Sequence, residues 1–402
     1  MNSKLAKGYG AKQEMINKFV DKHAAWTVEV RRYLHQYPEL SHQESKTARY
    51  IREQLESMGL AVRSYTGKDV VTYIEGTAPG KTVALRADID ALPIQEETGL
   101  PYASKNPGIM HACGHDGHTA ILLGAARALT EAKLLFAGRI KLIFQHAEEV
   151  VPGGASELVE AGVLEDVDAI FGLHLWQNLE VGLLGTCSGP IMAGSDSFTI
   201  KIQGKGGHGS MPHLTVDPIV IAAHLVTQIQ TVVSRSLDPL YPAVVSVGQI
   251  HAGDTYNIIP DTAQLQGTVR YFHPDVQKEI PAILERLANG VCASFGATAT
   301  FEYVEGDPSV VNDSRMNNIV EQVGCTVLGK ENVRPAVPSM AGEDFSYYLR
   351  QVPGAYFFLG IQGDEAAYGH HHPRFTIDER MLSVGSKLLA GIALMYLDQQ
   401  AK

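Results

Sequence analysis

Residues 109–119 read Ile-Met-His-Ala-Cys-Gly-His-Asp-Gly-His-Thr and gather His111, Cys113, His115 and His118 into a short stretch. Imidazoles and a thiol are the side chains that Zn²⁺ and related transition metals prefer. Gly114 and Gly117 allow the backbone to bend there, so neighbouring side chains can aim at one point. Three other stretches bring ligand or acid–base chemistry to the ends of apolar runs. Asp88 and Asp90 sit in Arg86-Ala-Asp-Ile-Asp-Ala-Leu-Pro93, Glu148 and Glu149 close Gln145-His-Ala-Glu-Glu149, and His174 opens His174-Leu-Trp. Adjacent glutamates are common on solvated faces. Behind a buried strand they need partners, and one carboxylate on a metal beside one free to take a proton meets that need. Tyr368-Gly-His-His-His-Pro-Arg-Phe375 adds three consecutive histidines, which suggest a metal or substrate site.

These groups need elements to hold them. Apolar positions at helical spacing predict a first helix over 12–36, stopping before Pro38, and a second over 44–58, ending at Gly59. Runs at 61–65, 70–74, 82–86, 139–144 and 169–173 read as strands, and 119–131 as a helix. Asp88, Glu148 and His174 thus fall just past strands, where open α/β sheets bind their ligands. A linker is expected near Gly189-Pro-Ile-Met-Ala-Gly194. Beyond it the order is strand 197–203, helix 217–234, strands 244–250 and 264–272, helix 275–295 and strand 298–304, a βαββαβ pattern of ferredoxin-like type. Helices at 315–328 and 381–396 would return to the first domain. The expectation is an α/β protein: a catalytic domain from 1–190 and 307–402, with a mixed sheet flanked by helices, and an inserted βαββαβ domain at 191–306.

Gly204-Lys-Gly-Gly-His-Gly209 matches G-x-G-x-x-G after a strand, yet Met211-Pro212 interrupts any following helix, so a dinucleotide site is poorly supported. His208 reads either as a polar loop-tip residue or as a substrate contact.

Composition narrows the partners. Acidic residues outnumber basic ones by 44 to 33 over 402 residues, a net charge of −11, and no basic run is sustained, which argues against nucleic acid and anionic membrane. The first fifteen residues carry no apolar core of signal-peptide length, and 388–397 is too short to span a bilayer. Cysteines at 113, 187, 292 and 325 form no Cys-x-x-Cys, as expected of reduced thiols in the cytoplasm. Cys113 alone has ligand-like company; the other three read as small core residues.

In order, Arg32-Tyr-Leu-His-Gln-Tyr-Pro-Glu-Leu-Ser41, Arg86-Ala-Asp-Ile-Asp-Ala-Leu-Pro93, His111-Ala-Cys-Gly-His-Asp-Gly-His118, Ala147-Glu-Glu149, His174, Gly206-Gly-His-Gly209, Ala341-Gly-Glu-Asp-Phe345 and His371-His-Pro373 span nearly the whole chain. Together they resemble the aminoacylase and carboxypeptidase-G-type metallopeptidase family, in its amidohydrolase branch of hippurate hydrolases, auxin-amino-acid hydrolases and N-acetyl-diaminopimelate deacetylases. The resemblance implies two divalent metal ions held by Cys113, His115, Glu149, His174 and His371, with Glu148 as general base. His371 is singled out from His370 and His372 by the family's His-x-Pro spacing. Where the wider family has His-x-Asp-x-x-Pro, this chain has Asp88 first, so His115 would take over that ligand role and Asp90 would orient a ligand. Cys113 would replace the usual bridging aspartate, leaving Zn²⁺, Mn²⁺, Co²⁺ and Ni²⁺ all as candidates. The resemblance further implies that the insert acts as a lid and as a homodimer contact, with His208 polarising the substrate carbonyl in the partner's site. A substrate carboxylate needs a cation, for which Arg270 is the candidate, with Asn257 as a polar contact. The leading expectation is an amidohydrolase of N-acyl amino acids, N-acetyl, N-benzoyl or similar. The alternatives are a metallo-exopeptidase on dipeptides and a metal-binding dimeric scaffold without catalysis.

Overall fold

The computed structural model describes residues 3–363 and 367–400, which divide into two compact units. The larger comprises Met1–Ile191, Val310–Val337 and Asp344–Lys402, and the smaller Met192–Ser309 and Pro338–Glu343. The Pro338–Glu343 segment belongs to the smaller unit because Ser339 and Ala341 accept the backbone N–H of Ala193 through their carbonyls, at 3.0 and 3.1 Å.

The larger unit is built on an eight-stranded mixed sheet. Its strand Thr82–Asp88 is buried throughout and runs parallel to both Arg139–Gln145 and Ala169–Glu180. The last of these is parallel to Gly354–Gln362, while Val70–Glu75 joins Arg139–Gln145 antiparallel. Parallel strands covered on both faces read as apolar runs, as Val-Ala-Leu and Leu-Ile-Phe do here, and the charge inside the second strand, Lys141, is buried and donates to Asp166 at 2.9 Å. In register, Asp88 lies beside Gln145, and Arg86 beside Gly172. Two residues further along each strand, Asp88 and His174 come level, so the polar groups of three interior parallel strands gather toward the carboxyl ends of those strands.

Several elements differ from the sequence reading. The helix over 12–36 is two helices, Ser3–Lys22 and Ala24–Gln36, broken at His23. No proline or glycine marks the break; the first segment packs chiefly on Arg380–Gln400 and the second on His115–Glu131, two supports that one straight helix could not follow. The helix expected from 119 begins at His115, so ligand-type residues occupy its first turn rather than a loop. The strand expected at 169–173 continues to Glu180. Gly354–Gln362, Gly-Ala-Tyr-Phe-Phe-Leu-Gly-Ile-Gln, is a buried strand beside Ala169–Glu180 that has neither alternation nor helical spacing to announce it. Arg380–Gln400 is long and apolar enough to cross a membrane, but 78% of its apolar window is buried inside the protein, as befits a core helix.

The smaller unit has a four-stranded antiparallel sheet in the order Ala243–Ala252, Thr262–Tyr271, Gly194–Gln203, Thr298–Val304, with helices Pro218–Thr231 and Pro274–Ser294. This is the βαββαβ ferredoxin-like arrangement, with its own core of Phe198, Ile200, Leu225, Leu265 and Leu284 among others. Asp217 caps the first helix, accepting the N–H of Ile219 at 2.9 Å, and Pro218 fills the first helical position. That helix ends at Thr231 and gives way to a wider turn over Val232–Ser236. All four cysteines are free; Cys292 is buried, while Cys187 and Cys325 are only partly covered.

Candidate metal centre

Gly114 opens the helix His115–Glu131 with φ +95°, a left-handed conformation that costs glycine nothing. The chain therefore turns sharply between Cys113 and His115. At Gly117 any Cβ would come within 2.6 Å of Leu175 Cδ1 and 2.8 Å of Ile377 Cδ1, so the first helical turn lies hard against the strand that carries His174.

Among the ligand-type groups whose donor atoms lie within 4.8 Å of one another are Cys113, His115 and His174, Cys113, Glu149 and His371, and His115, Glu148 and Glu149. Cys113 is common to the first two. Its Sγ is 3.5 Å from His174 Nε2, and His371 Nε2 is 3.3 Å from Glu149 Oε1. His115 Nε2 faces both glutamates, 3.9 Å from Glu148 Oε2 and 3.8 Å from Glu149 Oε1.

Two of the imidazoles are oriented by their other nitrogen. His115 Nδ1–H donates to Asp90, 3.0 Å to its carbonyl and 3.1 Å to Oδ1, and His174 Nδ1–H donates to the Leu175 carbonyl at 2.8 Å. His174 Nε2 is left with a lone pair directed into the cluster, and His115 Nε2 presents one once a cation takes the place of its proton. Asp90 also accepts the Glu149 N–H at 3.0 Å and the Ser41 hydroxyl at 2.7 Å, so one buried carboxylate ties the histidine to the glutamate segment. Among the described residues, His115 Nε2 and Glu149 Oε1 are buried without a hydrogen-bond partner. An orphaned imidazole nitrogen and carboxylate oxygen beside a thiol and two further imidazoles suit a divalent cation.

Charge in the pocket points the same way. Burial would depress His115, yet Asp88, Asp90 and Glu149 push it up to about 10. His371 is raised, chiefly by the Glu149 carboxylate, whose Oε1 lies 3.3 Å from its Nε2. Burial, followed by Glu149, Glu148 and Asp88, holds the Cys113 thiol well above its ordinary value, so a nearby cation is what would release its proton. His174 is driven well below its normal value by burial and by His118 and His370. It stays neutral, the form that binds metals.

Neighbouring histidines are engaged otherwise. His118 Nδ1 pairs with Asp88 at 2.7 Å and its Nε2 accepts the Leu175 N–H at 2.9 Å. His370 Nε2 accepts the Gln177 N–H at 3.2 Å, and His372 Nδ1 accepts that of Arg374 at 3.0 Å. His371, with φ +62° and its N–H on the Ala112 carbonyl, is the one of the three that reaches Glu149.

Behind the cluster lies a network with little trace in the sequence. Asp88 accepts from Arg86 Nη1 at 2.7 Å, Arg86 Nη2 donates to Asp344 at 2.8 Å, and Gln145 joins both, accepting Arg86 Nε at 2.8 Å and donating to Asp344 at 2.6 Å. Arg86 and Asp344 each sit in a motif quoted above, but nothing local signals that they pair.

In the smaller unit, His208 is exposed on the short strand Gly207–His208, its Nδ1 accepting the Ser210 N–H at 3.1 Å. That strand pairs with Ile258–Ile259, and Asn257 accepts the Gly209 N–H at 2.9 Å, so His208 and Asn257 are neighbours. Arg270 is half-buried on strand Thr262–Tyr271, and its Nη1 donates to the Val269 carbonyl at 3.0 Å and to the Thr268 hydroxyl. Burial lowers its pKa.

The chain is similar to known proteins. The N-acyl-L-amino acid amidohydrolase of Geobacillus stearothermophilus is 48% identical over 301 residues, 75% of this chain and 81% of that protein. The N-acetyl-L-cysteine deacetylase of Bacillus subtilis is 44% identical over 370 residues, 92% of this chain and 88% of that protein. The crystal structure of Bacillus subtilis YXEP, described as a dinuclear metal-binding peptidase, superimposes with a TM-score of 0.83 at 39% identity, covering 94% of this chain and 99% of that one. Residues 84–395, which contain the ligand triads, the paired glutamates and the whole of the smaller unit's sheet, match peptidase family M20/M25/M40, and the chain belongs to that family.

Proposed function

We propose that this protein is a metal-dependent amidohydrolase that cleaves the amide bond of N-acyl amino acids. The observation that carries the reading is the pair of ligand triads sharing Cys113, with Glu148 and Glu149 beside His115. Cys113, His115, Glu149, His174 and His371 would hold two divalent ions. Two such ions supply Lewis acidity and a nucleophile at neutral pH. Glu148 accepts the proton of the attacking water and returns it to the leaving amine nitrogen, which would otherwise depart as an unstable amide anion. Asp90 keeps His115 in the tautomer whose Nε2 is available, and fixes the backbone of Glu149. The thiolate favours Zn²⁺, while the imidazoles and carboxylate also accept Mn²⁺, Co²⁺ and Ni²⁺.

Cleavage of an N-acyl amino acid leaves a carboxylate that needs a cation. Arg270 would provide it, with Asn257 as a polar contact and His208 polarising the scissile carbonyl across a homodimer. The 191–306 region would then serve as lid and dimer contact around a catalytic domain formed by 1–190 and 307–402. Four free cysteines and an acidic surface support a cytoplasmic enzyme acting on a small molecule rather than on nucleic acid or membrane. The test is a panel of N-acetyl and N-benzoyl amino acids and dipeptides, assayed on metal-stripped protein with Zn²⁺, Mn²⁺, Co²⁺ or Ni²⁺ restored. N-acyl amino acids should turn over only with metal. Turnover confined to dipeptides would replace this reading with an exopeptidase, and no turnover with any metal would leave a binding protein.

A further inference from the structure

Glu44 is a carboxylate to which the chemistry above gives no task. It is 2% exposed and immediately precedes the helix Ser45–Ser57. A carboxylate so placed ordinarily turns back onto the free N–H groups of the first helical turn. Here Glu39 does that instead: its Oε2 accepts the N–H groups of Lys46 and Thr47, both at 2.8 Å, and the Thr47 hydroxyl at 3.0 Å. Glu44 is thereby released to point inward, where its Oε1 accepts the N–H of Ala147 at 2.7 Å.

Ala147 has φ +49°, in the left-handed region that residues with a Cβ rarely enter. It is the residue before Glu148. The chain leaves the strand Arg139–Gln145 and turns through this single position before presenting two successive glutamates to His115. Three bonds from remote segments brace the turn: Glu44 on the Ala147 N–H, the Gly154 N–H on the Ala147 carbonyl at 2.8 Å, and Asp90 on the Glu149 N–H at 3.0 Å. Of these, the Glu44 bond alone acts on the N-terminal side of the residue whose conformation is unfavourable. Without it a buried N–H loses its acceptor and Ala147 gains freedom to relax toward ordinary φ values, swinging Glu148 away from His115.

We infer that Glu44 is a positioning residue: its hydrogen bond to Ala147 N–H holds the left-handed turn that aims Glu148 at the metal cluster. This rests on the reading of Glu148 as the general base. The hydrogen bond needs an oxygen at a given reach and does not need a charge, which sets the test. Glu44→Asp keeps the charge and shortens the reach by one methylene; Glu44→Gln loses the charge and keeps an acceptor oxygen at the same reach. Steady-state kinetics on N-acyl amino acid substrate should give Glu44→Asp a kcat lower by roughly 10- to 100-fold, the scale of a misplacement near 1 Å. Its KM should stay within about twofold, with wild-type metal content by elemental analysis, while Glu44→Gln should remain within about threefold of wild type in kcat. Wild-type kcat in Glu44→Asp, or a Glu44→Gln as impaired as Glu44→Asp, overturns the inference. So does loss of bound metal in Glu44→Asp, which would make the residue a support of the fold. Glu148→Gln measured alongside separates the two layers: if it stays active the reading of the base fails, whereas an inactive Glu148→Gln beside a fully active Glu44→Asp removes the positioning role alone.

Discussion

Arg86→Met should destabilise the larger unit by about 3 kcal/mol, the lower end of the roughly 3–5 kcal/mol that follows when one partner is removed from a buried ion pair. Arg86 is 2% exposed and stands between two fully buried carboxylates, Asp88 and Asp344. Methionine fills much of the same space but strands both charges. The lower end applies because each carboxylate keeps another partner: Asp88 retains His118 at 2.7 Å, and Asp344 retains Gln145 at 2.6 Å and the Ala155 N–H at 3.0 Å. Urea titration of metal-stripped protein, followed by tryptophan fluorescence, reads this unit by itself, since the chain's two tryptophans, Trp26 and Trp176, both belong to it. With an m-value of about 3 kcal/mol/M, the midpoint should fall by about 1 M. The effect also has a pH signature. Burial alone would raise the Asp88 carboxyl, but His115, His118 and Arg86 hold it well below the usual carboxylate range. A depressed folded-state pKa contributes stability that is fully present above the unfolded value of about 3.9 and is lost as pH falls through the folded one. The gap between variant and wild type should therefore be complete at neutral pH and should narrow as Asp88 protonates in acid. A midpoint shift below about 0.3 M at neutral pH would refute the reasoning, because Arg86 would then not be compensating those charges.

Cys113 in metal-stripped protein should be alkylated chiefly at alkaline pH, where its raised thiol ionises, and bound metal should protect it there; peptide mapping that finds equal labelling with and without metal under those conditions would remove it from the ligand set. If His208 acts in the partner's site, mixing Glu148→Gln and His208→Ala subunits, each inactive alone, should restore about a quarter of wild-type activity, since random exchange makes half the dimers mixed and gives each one intact site. No recovery after demonstrated exchange would place His208 in its own subunit's site or outside catalysis.

Much of the centre was legible because its chemistry is local. Cys113 and His115 lie two apart, Glu148 and Glu149 are adjacent, and Asp88, Glu148 and His174 each follow an apolar run that proves to be a parallel strand. The smaller unit's order was legible for the same reason: alternation in its strands and a cap such as Asp217-Pro218 are properties of short windows. Features set by distant contacts were not. The Arg86–Asp344 pair spans 258 residues and the Glu44–Ala147 bond 103, and no window contains both ends of either. Glu44 reads from sequence as the start of a helix; that Glu39 caps the helix in its place depends on how the Pro38 turn folds back. The break at His23 and the buried strand Gly354–Gln362 follow from packing partners rather than from any breaker or period.

The central claim is that Glu148 moves a proton at a metal centre it does not help to hold. Elemental analysis and steady-state kinetics on Glu148→Gln test both halves at once, because the amide keeps the shape of the side chain and cannot accept a proton. The variant should keep the wild-type metal content while kcat on an N-acyl amino acid falls by roughly 10²- to 10⁴-fold. A metal-replete Glu148→Gln enzyme retaining kcat within a few-fold of wild type would contradict the account.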